Sequence, residues 1–118
     1  MADAAIFVGW GQVVRGRESK ALTVFNETLA YYGELQQAGT IESFEPVLLT
    51  AHGGDLGGFI LLRGERAKLD ALKATDAFAR MTVRANLIVD NIGVIDAAIG
   101  GGLAANMSEF GAQIAELA

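Results

Sequence analysis

Apolar and polar positions alternate from Ala5 to Arg15, with Ile6, Val8, Trp10, Gln12 and Val14 on one face. Phe7, Gly9, Gly11 and Val13 fall on the other. A period of two predicts a strand, which Gly16 ends. The period then lengthens. Leu22, Phe25, Leu29, Tyr32 and Leu35 recur at helical spacing, opposite Glu27, Glu34 and Gln37, so a helix follows with Ser19, Glu18 or Arg17 at its start. Gly39 supplies its stop.

Strand character returns from Ile41 to His52. Pro46 lies inside that run and cannot donate to a ladder, so this strand belongs at a sheet edge or at a bulge. Gly53, Gly54 and Asp55 make a turn into a further strand, Leu56 to Arg63, and the two form a hairpin. A second helical region spans Arg66 to Asn86 with Leu69, Leu72, Phe78 and Met81 on its apolar face. Its phase slips at Ala74-Thr75-Asp76, where Thr75 or Asp76 can cap a new helix, which predicts two pieces with a kink. Leu87 to Ile95 reads as the last strand from its β-branched residues. Gly100, Gly101 and Gly102 then act as a joint. Leu103, Met107, Phe110, Ile114 and Leu117, spaced four, three, four and three, predict a closing helix over about 103–117 with a narrow seam suited to a sheet or a partner helix.

The order is strand, helix, strand, strand, helix, strand, helix. Residues 5–98 thus predict an α+β domain of ferredoxin-like βαββαβ type, a four-stranded antiparallel sheet with both main helices on one face and an extra C-terminal helix. One face of such a sheet stays bare and would expose Phe7 or Trp10 with several aliphatics. Composition sharpens that point. Within 118 residues 52% are hydrophobic and only 19% charged, and mean hydropathy is +0.35. A chain this short forms one domain with little interior, so excess apolar surface points to an interface or a ligand groove. Two bare faces packed together satisfy both demands, and a homodimer is expected.

No window approaches the ~20 apolar residues that span a bilayer, and the opening MADAAIFVGW lacks the basic start of a signal peptide. The absence of cysteine excludes disulfides and thiolate metal sites. A cytoplasmic location is expected. A net charge of −5 argues against nucleic acid as a partner.

The segment KLDALKATDAFARM followed by ANLIVDNIGVI resembles the second helix and last strand of the dimeric α/β-barrel superfamily. That superfamily includes antibiotic-biosynthesis-type and haem-degrading monooxygenases, muconolactone isomerases and many members of unassigned function, to which the chain is most similar. The resemblance covers about residues 5–98 and is one of topology. It implies a dimeric α/β barrel and, in its sharper form, a cofactor-free monooxygenase-like enzyme. Haem-degrading members use an Asn, Trp and His set; Trp10 and His52 are present, but His52 falls at a hairpin rather than in a helix, a departure from that pattern.

Candidate chemistry is sparse. His52, the single histidine, could act as a general base oriented by Asp55, or simply end a strand beside a turn. One histidine without cysteine makes no usual zinc shell, so no metal is expected, and nothing in the sequence implies a cofactor. Trp10 between Gly9 and Gly11 could wall a pocket for a small apolar or aromatic ligand, or the glycines could admit a packed helix. Arg63 and Arg15 end neighbouring strands, where either could hold a carboxylate or be solvated. Asp90 and Asn91 interrupt the last strand, so one should face inward. Asp90 would then be a candidate base and Asn91 a ligand contact, unless each is a satisfied structural group. Two glycine-rich stretches, at Gly9 and Gly100, lack the remainder of any phosphate-binding motif. The two functional readings are a small-molecule-binding dimer with Trp10, His52 and Asp90 around its pocket, and a non-catalytic dimeric module whose interface is solid.

Overall fold

The computed structural model describes residues 2–118. Strand β1 (Ala4–Trp10) leads to helix α1 (Glu18–Gln37), then strands β2 (Ser43–Leu48) and β3 (Gly58–Gly64). Helices α2 (Arg66–Lys73) and α3 (Asp76–Asn86), strand β4 (Gly93–Ala98) and helix α4 (Gly100–Leu117) complete the chain. The strands form one antiparallel sheet in the order β2-β3-β1-β4. Pro46 therefore sits in an edge strand, where its missing N–H costs no ladder bond.

Register fixes the two faces. Ile6 opposes Leu62 and Val8 opposes Ile60, and these side chains are buried beneath Tyr32 of α1, Leu69 and Leu72 of α2 and Phe78 of α3. The alternate residues, Phe7 opposite Leu61 and Gly9 opposite Phe59, belong to the other face, which none of the described helices covers at Phe7, Phe59 and Ile95. Phe7 and Phe59 stack there with ring centroids 5.0 Å apart. Ile95 of β4 joins them and is 56% exposed. The bare sheet face expected from the topology is present.

Local chemistry accounts for the boundaries. Gly39, at φ +79°, turns the chain off the end of α1, and the N–H of Thr40 closes back on the carbonyl of Leu35 at 2.9 Å. Thr75 separates α2 from α3: its Oγ1 accepts from the Phe78 N–H at 3.2 Å and donates to the Leu72 carbonyl at 2.7 Å. Arg66 crosses from α2 to β4, where its guanidinium donates to the Ala97 carbonyl at 2.9 Å and lies 3.2 Å from the Asp96 carboxylate.

Several boundaries differ from expectation: β2 is confined to Ser43–Leu48 and ends before His52, β3 begins at Gly58 rather than Leu56, and three others shift. β1 ends at Trp10, and the chain beyond it keeps only an isolated bridge between Val13 and Val89. The last strand begins at Gly93 rather than Leu87: Leu87 caps α3, Ile88 and Val89 are buried in the following turn, and Asn91 takes a left-handed φ of 58°. Gly100–Gly102 form the first turn of α4 instead of a free joint.

Candidate functional site

On the helix-covered side, the sheet and its helices leave a cavity of about 310 Å³. Val8 and Trp10 of β1, Ile60 of β3 and Val94 of β4 form its floor. Val24, Phe25, Thr28 and Tyr32 of α1 form one wall, and Met81, Thr82 and Ala85 of α3 face them, with Ile88, Val89 and Ile92 closing the end. Leu22 and Leu48 stand at the margin, 63% and 71% exposed, so large apolar side chains reach the mouth as well.

Trp10 is the sequence-derived candidate that lines this space. Its ring meets Phe25 edge to face, centroids 6.1 Å apart. The room it needs comes from Gly58, its partner across the β1–β3 ladder. A Cβ at Gly58 would lie 2.8 Å from the Trp10 ring and 2.8 Å from the Val47 carbonyl. The glycines beside Trp10 in sequence do something else. Gly9 points to the bare face beneath the Phe7 ring, and Gly11 lets the backbone carbonyls of Asp55 and Asp90 approach.

The other candidates lie elsewhere. His52 is exposed in the β2–β3 connection, its Nε2 2.7 Å from the Leu56 carbonyl and its Nδ1 accepting from the Gly54 N–H at 3.2 Å. These partners set the tautomer with the proton on Nε2 and make the ring a clasp for its own loop, in place of the expected pairing with Asp55. Asp90 and Asn91 do not face inward from a strand, because they belong to the turn before β4, and both side chains are exposed. Asp90 contributes its backbone, accepting from Gly11 and donating to Gln12, each at 2.8 Å. Arg63 is on the opposite face of the sheet, paired with Glu45 at 2.9 Å. It opposes Ala5 near the start of β1, far along the strand from Arg15.

Polar groups in the cavity are few and mostly committed. The hydroxyls of Thr28 and Thr82 donate to the carbonyls of Val24 (2.7 Å) and Phe78 (3.0 Å) in their own helices, so only their lone pairs remain for a ligand. Burial, with a smaller contribution from Tyr31, pushes the Tyr32 phenol above its ordinary value of 10.0, and it stays neutral at any physiological pH. Glu18 sits at the rim, its carboxylate accepting from the Gly16 N–H at 3.3 Å. The lining is thus suited to desolvating an apolar molecule. No group of three or more potential metal ligands occurs among the described residues, and no helix among them is long and apolar enough to cross a membrane.

The α1 and α3 residues of this wall were not singled out from sequence. The signal for α1 existed, since Phe25 and Tyr32 belong to the predicted apolar stripe, but a stripe does not say where a helix stands clear of the sheet.

The strand order, the helix-covered cavity and the added α4 define an α+β protein of the ferredoxin-like fold, the fold of the dimeric α/β barrels. No protein-family model matches the chain, and no curated protein matches it significantly. Solved structures do. A dimeric ferredoxin-like protein of unknown function from Jannaschia sp. CCS1 has a TM-score of 0.63 at 14% identity, over 81% of this chain and 99% of that one. A second dimeric protein of this fold and of unknown function, from Bacteroides fragilis NCTC 9343, has a TM-score of 0.59 at 9% identity, over 81% and 96%. SnoaB, a cofactor-independent oxygenase from Streptomyces nogalater, has a TM-score of 0.50 at 16% identity, over 84% and 93%. Likeness at these identities establishes the shared fold.

Proposed function

We propose that this protein is a homodimer that binds a small apolar or aromatic molecule in the cavity between its sheet and α1 and α3. The observation that carries the reading is the cavity's size joined to its lining. A cavity of ~150 Å³ holds one benzene, so about 310 Å³ suits a molecule of one or two rings. Trp10, Phe25 and Tyr32 supply aromatic faces, and in this reading the Tyr32 hydroxyl would hydrogen-bond a single polar substituent. The dimeric state of the Jannaschia and Bacteroides neighbours supports the assembly.

Cofactor-independent oxygenation, the activity named for SnoaB, is the sharper version of this reading. Here it would have to draw on the bound molecule's own reactivity. The cavity offers a neutral phenol and a rim carboxylate, and neither His52 nor Asp90 lines it.

Isothermal titration with 2-naphthol tests the binding reading. The wild-type protein is expected to bind it, and Ala85→Trp, whose indole would occupy the cavity, to lose binding at least tenfold while keeping its circular dichroism. His52→Ala should bind like wild type. Undiminished binding by the Ala85→Trp protein would place the ligand elsewhere and refute the assignment.

A further inference from the structure

Helix α4 is 18 residues long, and none of them is buried. Its five large apolar residues are at least half exposed: Leu103 50%, Met107 59%, Phe110 63%, Ile114 56% and Leu117 85%. The molecule measures 53 Å along its longest axis and has a radius of gyration of 16.2 Å, against ~13–14 Å for a compact chain of this length. A helix so placed gains little from its own domain, and its sequence does not hold it alone. Glycines stand at 100, 101, 102 and 111, its start has no side-chain cap, and one Gln113–Glu109 bond of 2.8 Å braces it.

We infer that α4 pairs with α4 of a second copy of this chain along the Leu103–Met107–Phe110–Ile114–Leu117 seam. Three features of the helix select that occupant. The seam's large side chains repeat every 3.5 residues and occupy two positions in seven, the repeat that lets one helix interlock with another. The positions that flank such a seam are Ala104, Asn106, Gly111 and Gln113, all uncharged and two of them small. Two copies can therefore approach closely with no like charges facing each other. Both acidic residues, Glu109 and Glu116, occupy equivalent positions outside those flanks. A heterologous partner chosen by charge would leave its mark at those flanks, and there is none. The seam is only two heptads long, so its pairing rests on the dimer proposed above, which raises the local concentration of one α4 around the other.

Phe110 is the middle residue of the seam, so it faces its counterpart in either a parallel or an antiparallel pair. The chain contains no cysteine, which makes single-cysteine variants clean reporters. Under mild oxidation Phe110→Cys is expected to form a covalent dimer in high yield, and Ala112→Cys, on the far side of the helix, to stay at least tenfold lower. Equal crosslinking of the two, or none by Phe110→Cys, overturns the pairing. So does a Phe110→Cys protein that crosslinks only when mixed with Leu61→Cys, because the seam would then lie on the partner's sheet. Sedimentation of a chain ending at residue 99 separates this inference from the dimer itself. A shortened chain that remains dimeric beside uncrosslinked Phe110→Cys would leave the sheet-face dimer standing and remove the helix pair alone.

Discussion

Thr75 shows how much one side chain can decide. Its hydroxyl joins the end of α2 to the start of α3, accepting at 3.2 Å and donating at 2.7 Å, and α3 is thereby aimed across the cavity. Thr75→Ala is expected to cost about 1 kcal/mol, read as a lowered urea midpoint at unchanged slope, and Thr75→Ser to recover most of it. A replacement without effect would mean that packing of Phe78 alone sets the kink. This cap was legible in the sequence because a capping hydroxyl at a break in helical phase has a local cause. Pro46 was legible for the same reason. Asp90 and Asn91 were not: their exposure follows from a left-handed Asn91 and from backbone bonds to Gly11 and Gln12, which a run of β-branched residues conceals. Trp10 was recognised as a pocket wall, yet the glycine that makes room for it is Gly58, a neighbour across the ladder and 48 residues distant in sequence.

At the scale of elements, the sequence read types and order correctly and misplaced faces and ends where tertiary partners decide. In α1 the predicted stripe held at Tyr32, but the buried residues at its start are Ala21 and Val24, with Leu22 turned out to the cavity margin. β4 is GVIDAA, a poor strand by propensity, and its place is set by pairing with β1. Asp96 adds a second tie. Its carboxylate accepts from Lys73 at 2.5 Å and lies 3.2 Å from the Arg66 guanidinium, which binds β4 to α2. The hydrogen bond from Lys73, then the charges of Lys73 and Arg66, hold this carboxyl below its ordinary value of 3.8 against the opposing effect of desolvation. A lowered folded-state value stabilises the fold above the unfolded value and is lost as pH falls through the folded one. Asp96→Asn should therefore be less stable than wild type at neutral pH and equal to it near pH ~2. Because the Asp96 side chain is about half exposed, the gap should also narrow in molar salt. Urea midpoints at both pH values measure this, and a gap that persists in acid would assign the loss to packing rather than charge.

The whole molecule presents two unsatisfied apolar surfaces, the seam of α4 and the sheet face opposite the cavity, and the second has the layout of an interface. Phe7, Phe59, Leu61, Val47 and Ile95 share that face, while Ser43, Glu45 and Arg63 gather at one end of it. An apolar centre beside a polar margin is what a specific interface presents. The Arg63–Glu45 pair is more consistent with that margin than with a ligand site, and at 2.9 Å on the surface it contributes at most ~1 kcal/mol. Two such faces can pack ~10 Å apart as layers of a single core, which would cover the Phe7–Phe59 stack and leave both cavities open on the outer, helical sides. Ligand binding and assembly would then be separable by mutation. Leu61→Glu places a charge near the middle of the face, next to Phe7 across the ladder. Desolvating that carboxylate in a dimer is costly, so the dissociation constant should rise at least a hundredfold while the monomer, whose own core lies on the other side of the sheet, keeps its circular dichroism and still binds 2-naphthol. Sedimentation equilibrium at micromolar concentration reads the first effect and calorimetry the second. If Leu61→Glu sediments as a wild-type dimer, the sheet face is not the contact. If it dissociates and also loses the ligand, the cavity depends on the partner, and binding and assembly are one property of the dimer.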